Sequence, residues 1–504
     1  MIGLVLPVDR DDEPDDPFGR QWTMARSEPP DPGLPIKLEP CGNGEFQPEP
    51  ATEVAREATR RAHRAIEENA ARVGMSRRDF LRTMMAAATT LSVLEACTRD
   101  SGQTGGSFIV DDPTTSSSTS TSPSSSSTVT STEPPPSTVD EDAAAEAIGP
   151  SEDEFIFDVQ GHLLEFGDGI AGTVPNFPQA ACGEADPKDC YGLDHFLEAL
   201  FVESDTHMVM LSSLPFAFDA LSPDVMRHAM ETADRFGCSD RVLMQGESHP
   251  TRLGFDAMAE LAESHPISAF KTFTHTAGSP WRLDDDTGDA YLDHVERLGV
   301  PIVAVHKGFS GGSQWSSPVD IGPAAEKHPG VTLVVYHSGY EAGVVEGPLD
   351  LTRPSGVDRL VASLADSAIG AGDNVYPELG STWRALMTRP DEAAHFLGKL
   401  LVAVGEDNIL WGTDSIWYGS PQDQIQAFRA FQISEEFQER FGYPALTPET
   451  KRKILGYNAA RLFGVEPVTE PCNLSREDLL ALRIESTSTF HTHSHAADVT
   501  FRSA

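Results

Sequence analysis

Long apolar runs are absent from this chain. None reaches the ~18 residues that a membrane-spanning helix needs, so no segment crosses a bilayer as a permanent helix. Positive charge is scarce too. Lys and Arg number 37 against 78 Asp and Glu, a net charge of −41. Phosphate binding requires clustered basic side chains, so nucleic acid is excluded as a partner. The acidity reads as a solvated surface. Cysteine is rare as well, six in 504 residues, which excludes a disulfide scaffold. Cys182 and Cys190 lie close enough in sequence to bridge, and they equally suit two free thiols. The length allows roughly two or three domains of ordinary size.

What the chain does have is centred on Pro301 to Gly339. Pro301-Ile302-Val303-Ala304-Val305-His306-Lys307-Gly308 is a short apolar run ending in histidine and glycine, and Val331-Thr332-Leu333-Val334-Val335-Tyr336-His337-Ser338-Gly339 repeats the phrase. Runs of Val, Ile and Leu without polar alternation suit strands buried on both faces. Val319 to His328 between them reads as a short helix, giving strand, crossover helix and parallel strand. Parallel strands end on the same sheet edge, so His306 and His337 are expected as neighbours where α/β folds bind ligands.

Taken in order, residues 1 to about 53 are rich in Pro, Asp and Glu and read as disordered. Glu53 to Val73 carries alternating charges and alanines that suit a solvated helix. Ser76-Arg77-Arg78-Asp79-Phe80-Leu81-Arg82 resembles the twin-arginine export motif, and the modest apolar stretch Met84 to Leu94 completes the pattern of a secretory signal. Met75 stands immediately before it, so translation from Met1 and from Met75 both fit the layout. Leu94-Glu95-Ala96-Cys97 resembles a lipobox, leaving lipidation of Cys97 and simple cleavage nearby as alternatives. Pro113 to Thr138 is almost only Ser, Thr and Pro. Such a stretch buries too little apolar area to offset its ordering entropy and reads as a tether. The expected layout is therefore an extension over 1–75, an export signal over 76–97, a tether over 98–154, a folded domain over 155–467 and a partly disordered tail over 468–504. In that tail, His491, His493 and His495 form a short histidine run that reads as solvated.

Within the folded domain, eight candidate strands are spaced by helical segments: Phe155 to Gln160, Met208 to Leu214, Val242 to Gly246, Ile267 to Phe273, Ile302 to His306, Thr332 to His337, Val375 to Leu379 and Ile409 to Thr413. Eight strands predict an α/β fold of the closed (β/α)8 TIM-barrel type. A doubly wound open sheet is the alternative, but the Gly-rich dinucleotide turn is absent after the first strand. Ser222-Pro223-Asp224 and Thr447-Pro448-Glu449 predict helix starts with an N-cap and a first-turn proline. Gln422 to Phe441 is expected as one longer helix. The polar residues at the predicted strand ends are Gln160 and His162 on the first, Lys271 and His275 on the fourth, and His306 and His337 on the fifth and sixth. Glu378 lies on the seventh, and Asp414 follows the apolar run of the eighth. Imidazoles and carboxylates converging on a barrel mouth suit a metal site with a position open to water.

Several separated motifs resemble the amidohydrolase superfamily, and within it the branch related to aminocarboxymuconate semialdehyde decarboxylase. Asp158-x-x-x-His162 is similar to its first-strand metal-binding motif, Val305-His306 and Tyr336-His337-Ser338-Gly339 to its fifth and sixth strands, and Trp411-Gly412-Thr413-Asp414 to its eighth. The closing helix Ile454 to Phe463 resembles its C-terminal signature. The resemblance implies one divalent metal, Zn in the first instance, held by His162, His306 and Asp414. It also implies that His337 contacts the metal's water or the substrate, and that Asp414 takes the water's proton. Gln160 stands where the family has a histidine and offers a weaker donor. Lys271 and Glu378 are candidate substrate-binding residues. The leading expectation is an exported hydrolase of a small ester, lactone or amide. A non-oxidative decarboxylase is the alternative, and a metal-free envelope binding protein a further one. Expected partners are a small-molecule substrate, the twin-arginine export machinery and, through Cys97, a lipid anchor.

Overall fold

A computed structural model describes residues 33–43, 46, 48–110, 140–165, 190–214, 221–276, 280–309 and 312–483. The apolar runs picked out above form seven parallel strands: β2 (Phe157–Gly161), β3 (Met208–Leu211), β4 (Val242–Glu247), β5 (Ile267–Phe273), β6 (Ile302–His306), β7 (Thr332–Tyr336) and β8 (Val375–Pro377). They pair in chain order in a single sheet. The register sets His306 beside Tyr336, so the two histidine-bearing strand ends do finish side by side.

The eighth expected strand is not a full strand. Leu410 bridges Glu378, and Ser415 bridges Gly161, both in parallel. Leu410 N donates to the Pro377 carbonyl at 3.0 Å and Val159 N to the Trp411 carbonyl at 3.1 Å. The segment 409–415 thus bonds to both edges of the sheet and closes the barrel. A longer ladder stops because Asp414 adopts a left-handed backbone, φ 57°. The closing helix takes over part of the fastening. Asn458 Nδ2 donates to the carbonyls of Ile409 (2.8 Å) and Glu406 (2.7 Å). Gly456 is packed so tightly on the first barrel strand's approach that a Cβ there would sit 2.1 Å from the Phe155 carbonyl oxygen.

The two cap motifs behave as read. Ser222 accepts from Val225 N ahead of the helix Pro223–Arg235, and Thr447 accepts from Thr450 N ahead of Pro448–Arg452. The single helix expected over Gln422 to Phe441 is broken. It runs over Gln422–Ala430, passes into β9 (Phe431–Ile433) and restarts at Glu435 after Ser434 caps it. The cause is a remote partner: β9 pairs antiparallel with β1 (Gly106–Phe108), from a region the sequence suggests is tether.

Further residues ahead of the barrel are also packed. Helix α1 covers Glu53–Val73, α2 Arg77–Leu81 and α3 Met84–Asp100. Every α3 residue from Met85 to Glu95 is buried, as is Cys97. A helix with no charge before Glu95 and apolar or small residues all round is one that packs on every side. Arg77 of the twin-arginine-like motif reaches the His63 ring at 2.9 Å. Among the described residues, no helix is long and apolar enough to cross a membrane. Helix α4 (Glu141–Ile148) follows, and residues 111–139, which hold the whole Ser/Thr/Pro stretch, lie outside the described residues. Beyond the barrel, Cys472 is bonded to Cys238, Arg241 donates to the Val468 and Glu470 carbonyls, and Leu474, Leu479 and Leu482 are buried. The first part of the tail is therefore fastened down. Cys190 is also disulfide-bonded, while Cys182 and the three tail histidines lie outside the described residues.

Candidate active site

His306 ends β6 and His337 follows β7, so both side chains reach the C-terminal rim of the barrel. Their ring centroids are 5.0 Å apart. His275, beyond the end of β5, stands 5.1 Å from His306 on its other side, and Phe273 stacks on His306 at 5.2 Å. Burial, reinforced by the neighbouring His337 and His275, holds His306 well below the ordinary histidine range. His337 is lowered to about 4, chiefly by burial, with Asp414 opposing. Both rings are thus neutral at pH 7. The backbone at His337, Ser338 and Asp414 is left-handed (φ 56°, 52° and 57°), a strain that persists only where surrounding contacts impose it. At His337 those contacts include its N–H to Glu378 Oε2 (2.9 Å) and Thr382 Oγ1 to its carbonyl (2.8 Å).

The hydrogen bonds fix the role of Nδ1 on two rings. His162 Nδ1 lies 2.7 Å from the Ser212 carbonyl and must donate to it. His337 Nδ1 accepts from Ser381 N at 3.3 Å, which leaves its proton on Nε2. That Nε2–H is buried and has no partner among the described residues.

Asp414 is the most heavily bonded group of the site. Oδ1 faces His162 Nε2 at 3.1 Å and accepts from Gln160 Nε2 at 3.1 Å. Oδ2 accepts from Ser381 Oγ at 2.5 Å and from Asn43 Nδ2 at 2.8 Å. Burial pushes this carboxyl up, but His162, the nearby His337 and Ser381 outweigh it and hold it below its ordinary value. Asp414 is therefore an ionised base. Trp417 stacks on His162 at 5.5 Å and fixes the ring's plane.

One layer deeper lie the other candidates. Lys271 pairs in register with Ala304, two residues short of the Phe273–His306 pair, and its Nζ sits 3.2 Å from the centroid of the Tyr336 ring. Glu378 is fully buried and raised well above the carboxylate range by burial, so it carries a proton at neutral pH. Its Oε1 has no partner among the described residues. Asp158 accepts from the backbone of Gln160 and from both donors of Thr413, and burial raises it to about 7.

The donor chemistry fits a divalent ion. His162 gives its Nδ1–H to a carbonyl, as metal-bound imidazoles usually do, and turns its Nε2 to Asp414 Oδ1 at 3.1 Å. His306 is neutral and Asp414 ionised, the protonation states a ligand set needs. The donors are not closed into a cage: among the described residues no three of His, Cys, Asp and Glu are gathered to hold an ion. Gln160 turns its Nε2 to Asp414, while its Oε1 points toward Gly380, where a Cβ would meet it at 2.9 Å.

The structure thus brings His162, Gln160 and Asp414 into direct contact and sets His306 beside His337, with Glu378 behind His337 and Lys271 below. Two participants, Ser381 and Asn43, escaped the sequence, as did a buried histidine on the same sheet edge. Ser381 stands just past β8, at a strand end where polar residues merit notice. His249, just past β4, is buried, is lowered to about 4 by burial and Arg252, and has no Nε2 partner among the described residues. Asn43 comes from the Pro-rich stretch and carries no local signal.

Residues 220–465 match the model of the amidohydrolase family. No curated protein matches. Among solved structures, the chain is similar to 2,6-dihydroxybenzoate decarboxylase from Rhizobium (14% identity, 62% of this chain and 99% of that one, TM-score 0.39). It is similar also to 5-carboxyvanillate decarboxylase from Sphingomonas paucimobilis (14% identity, 62% and 100%, TM-score 0.38). A third is a manganese-bound dihydroxybenzoic acid decarboxylase from a Polaromonas species (15% identity, 62% and 97%, TM-score 0.37). The match to the amidohydrolase family model takes in His306, His337, the Trp411-Gly412-Thr413-Asp414 motif and the closing helix.

Proposed function

We propose that the protein is a divalent-metal-dependent hydrolase of a small ester, lactone or amide. The observation that carries this reading is a pair of groups on one rim: the ionised Asp414 and the buried Nε2–H of His337 that has no partner among the described residues. A hydrolase needs a base for the attacking water and a donor for the oxyanion that develops on the carbonyl. Asp414 suits the first role and His337 Nε2–H the second. His162, His306 and Asp414 are the residues that would hold the metal. When bound, such an ion polarises a carbonyl and lowers the pKa of a water molecule toward neutrality. Gln160 contributes a hydrogen bond that orients Asp414. Trp417 and Phe273 keep the imidazoles in place and exclude water from their faces.

One observation favours a second chemistry, loss of carbon dioxide from a small carboxylic acid. Decarboxylation requires a proton for the carbon that is left, and Glu378 is a buried, protonated carboxyl directly behind His337. The test is to purify the full chain, load it with Zn²⁺ or Mn²⁺, and follow acid release from esters, lactones and amides alongside carbon dioxide release from aromatic acids. Metal-dependent acid release that Asp414→Ala abolishes supports the hydrolase. Carbon dioxide release alone supports the second reading. A chain that holds no metal and turns over neither class would be a binding protein instead.

Export by the twin-arginine route, with cleavage or lipidation at Cys97, belongs to the same proposal. It requires residues 76–100 to leave the packed position they occupy here. The disulfide between Cys238 and Cys472 supports an oxidising compartment. Replacing Arg77 and Arg78 with lysine should retain the protein in the cell, and undiminished export of that variant would sink the assignment.

A further inference from the structure

We propose that Asn43, which lies outside the barrel and ahead of its first strand by more than a hundred residues of chain, is a positioning residue of the active site. The inference rests on Asp414 acting as proposed above. A carboxylate that must serve as ligand and base needs a fixed orientation, and hydrogen bonds to one oxygen fix the direction of the other. Oδ2 of Asp414 is held in this way. Ser381 Oγ donates to it at 2.5 Å and Asn43 Nδ2 at 2.8 Å, with 3.4 Å between Asn43 Nδ2 and Ser381 Oγ. Ser381 Oγ also meets Tyr418 OH at 2.7 Å. Oδ1 is thereby turned toward His162 Nε2.

The segment that delivers Asn43 is itself anchored to the loop that delivers Asp414. Ile36, Leu38 and Cys41 are buried. Lys37 Nζ donates to the Tyr418 carbonyl at 2.5 Å, and Lys37 N to Asp423 Oδ2 at 3.4 Å. On the far side, Phe46 packs on Phe309 at 4.3 Å, and Phe309 lies 5.3 Å from the His337 ring. Residues 33–43 are therefore registered against the carboxylate side of the site through Tyr418 and Asp423, and Phe46 against the histidine side through Phe309. An amide is the right group for this post. It donates to the carboxylate without adding charge, whereas a lysine would compete with a cation for the same oxygen. Asn43 precedes the twin-arginine-like motif, so cleavage near Cys97, if export proceeds as proposed above, would remove this donor, and the comparison below is made on the full-length chain.

Removing a hydrogen bond that orients a ligand typically weakens metal binding or activity by about 10–100-fold. The experiment titrates Zn²⁺ or Mn²⁺ into the full-length parent, Asn43→Leu, Asn43→Gln and Asp414→Ala, reading Kd by calorimetry and stability by thermal unfolding. Leucine keeps the size of asparagine without its donor, and glutamine keeps the donor. The expected result is Kd raised about 10–100-fold in Asn43→Leu, restored to within about threefold in Asn43→Gln, with little change in melting temperature. If Asn43→Leu does not fold, Asn43→Ala makes the same comparison. Metal binding in Asn43→Leu equal to the parent's overturns the inference. Tighter binding overturns it in favour of a segment that blocks the site. In both cases loss of binding in Asp414→Ala leaves the proposed function standing. Should the parent itself bind no metal, the functional reading fails and this inference with it.

Discussion

Replacing Gly412 with alanine puts a methyl group 1.8 Å from Oε1 of Glu378, 2.7 Å from its Cδ and 3.1 Å from its Cγ. Glu378 has nowhere to retreat. It is fully buried, its Oε2 receives the His337 N–H at 2.9 Å, and that same oxygen would lie 2.8 Å from a Cβ on Gly380. Forcing a carbon into so filled a core costs about 1–3 kcal/mol. If the carboxyl swings aside, the buried His337 N–H loses its acceptor, at a further cost of about 1–3 kcal/mol. Gly412→Ala should therefore destabilise the chain by about 2–6 kcal/mol. Urea unfolding of the full chain at neutral pH measures this. The control is Glu378→Ala, which removes the obstructing carboxyl. In that background Gly412→Ala should cost less than about 1 kcal/mol, so the two changes couple by more than about 1 kcal/mol. Equal costs in both backgrounds would show that the contact with Glu378 is not what keeps position 412 a glycine.

Two other perturbations test the packing around the site. Lys307 and Asp320 form a buried pair at 2.7 Å, with Lys307 also donating to Thr274 Oγ1 and the Trp315 carbonyl; Lys307→Met strands the carboxylate and should cost about 3–5 kcal/mol, and a loss under about 1 kcal/mol would deny the pair its structural weight. His395 is lowered to about 4, by burial first and then by Lys399, among Phe437, Phe441 and Tyr443. Because its folded pKa lies below the unfolded value near 6.5, the unfolded chain binds more protons between about pH 6.5 and 4, and the stability His395 contributes is present above that window and lost as pH falls through it. Denaturation of His395→Phe beside the parent should show the parent's advantage shrinking across that window by up to about 1.4 kcal/mol per pH unit, whereas a constant difference would mean the ring is not held neutral.

What could be read from the sequence divides along a physical line. Burial on both faces writes itself into short stretches as unbroken Val, Ile and Leu, so β5 and β6 were legible to the residue, and β7 to within one. The parallel register that sets His306 against Tyr336 follows from strand order alone. The break in Gln422 to Phe441 was not legible, because Phe431, Gln432 and Ile433 suit a helix face and a strand equally, and the partner that decides between them is Gly106–Phe108. The same holds for α3. An apolar, uncharged helix preceded by paired arginines reads as a secretory signal, and burial against a domain demands the same composition.

The site shows why side-chain chemistry is harder to read than strands. His162, His306, His337 and Asp414 declare themselves because each stands at the end of an apolar run, a position where a polar residue is conspicuous. Ser381 has no such contrast, since the segment after β8 is polar and helical from Gly380 onward. Asn43 has none at all: it lies 371 residues from Asp414 along the chain, between Gly42 and Gly44, in a stretch whose composition argues for disorder. Its placement depends on Ile36 and Leu38 finding cover, on Lys37 reaching the Tyr418 carbonyl, and on Phe46 finding Phe309. None of these contacts has a period, and each is weak evidence alone. Together they set an amide on the one oxygen of Asp414 that faces away from His162. A carboxylate with both oxygens unrestrained would rotate, and Oδ1 would then face His162 Nε2 only part of the time. The barrel supplies the carboxylate, and the extension ahead of it supplies two of the contacts that fix where it points, Asn43 directly and Lys37 through the Tyr418 carbonyl.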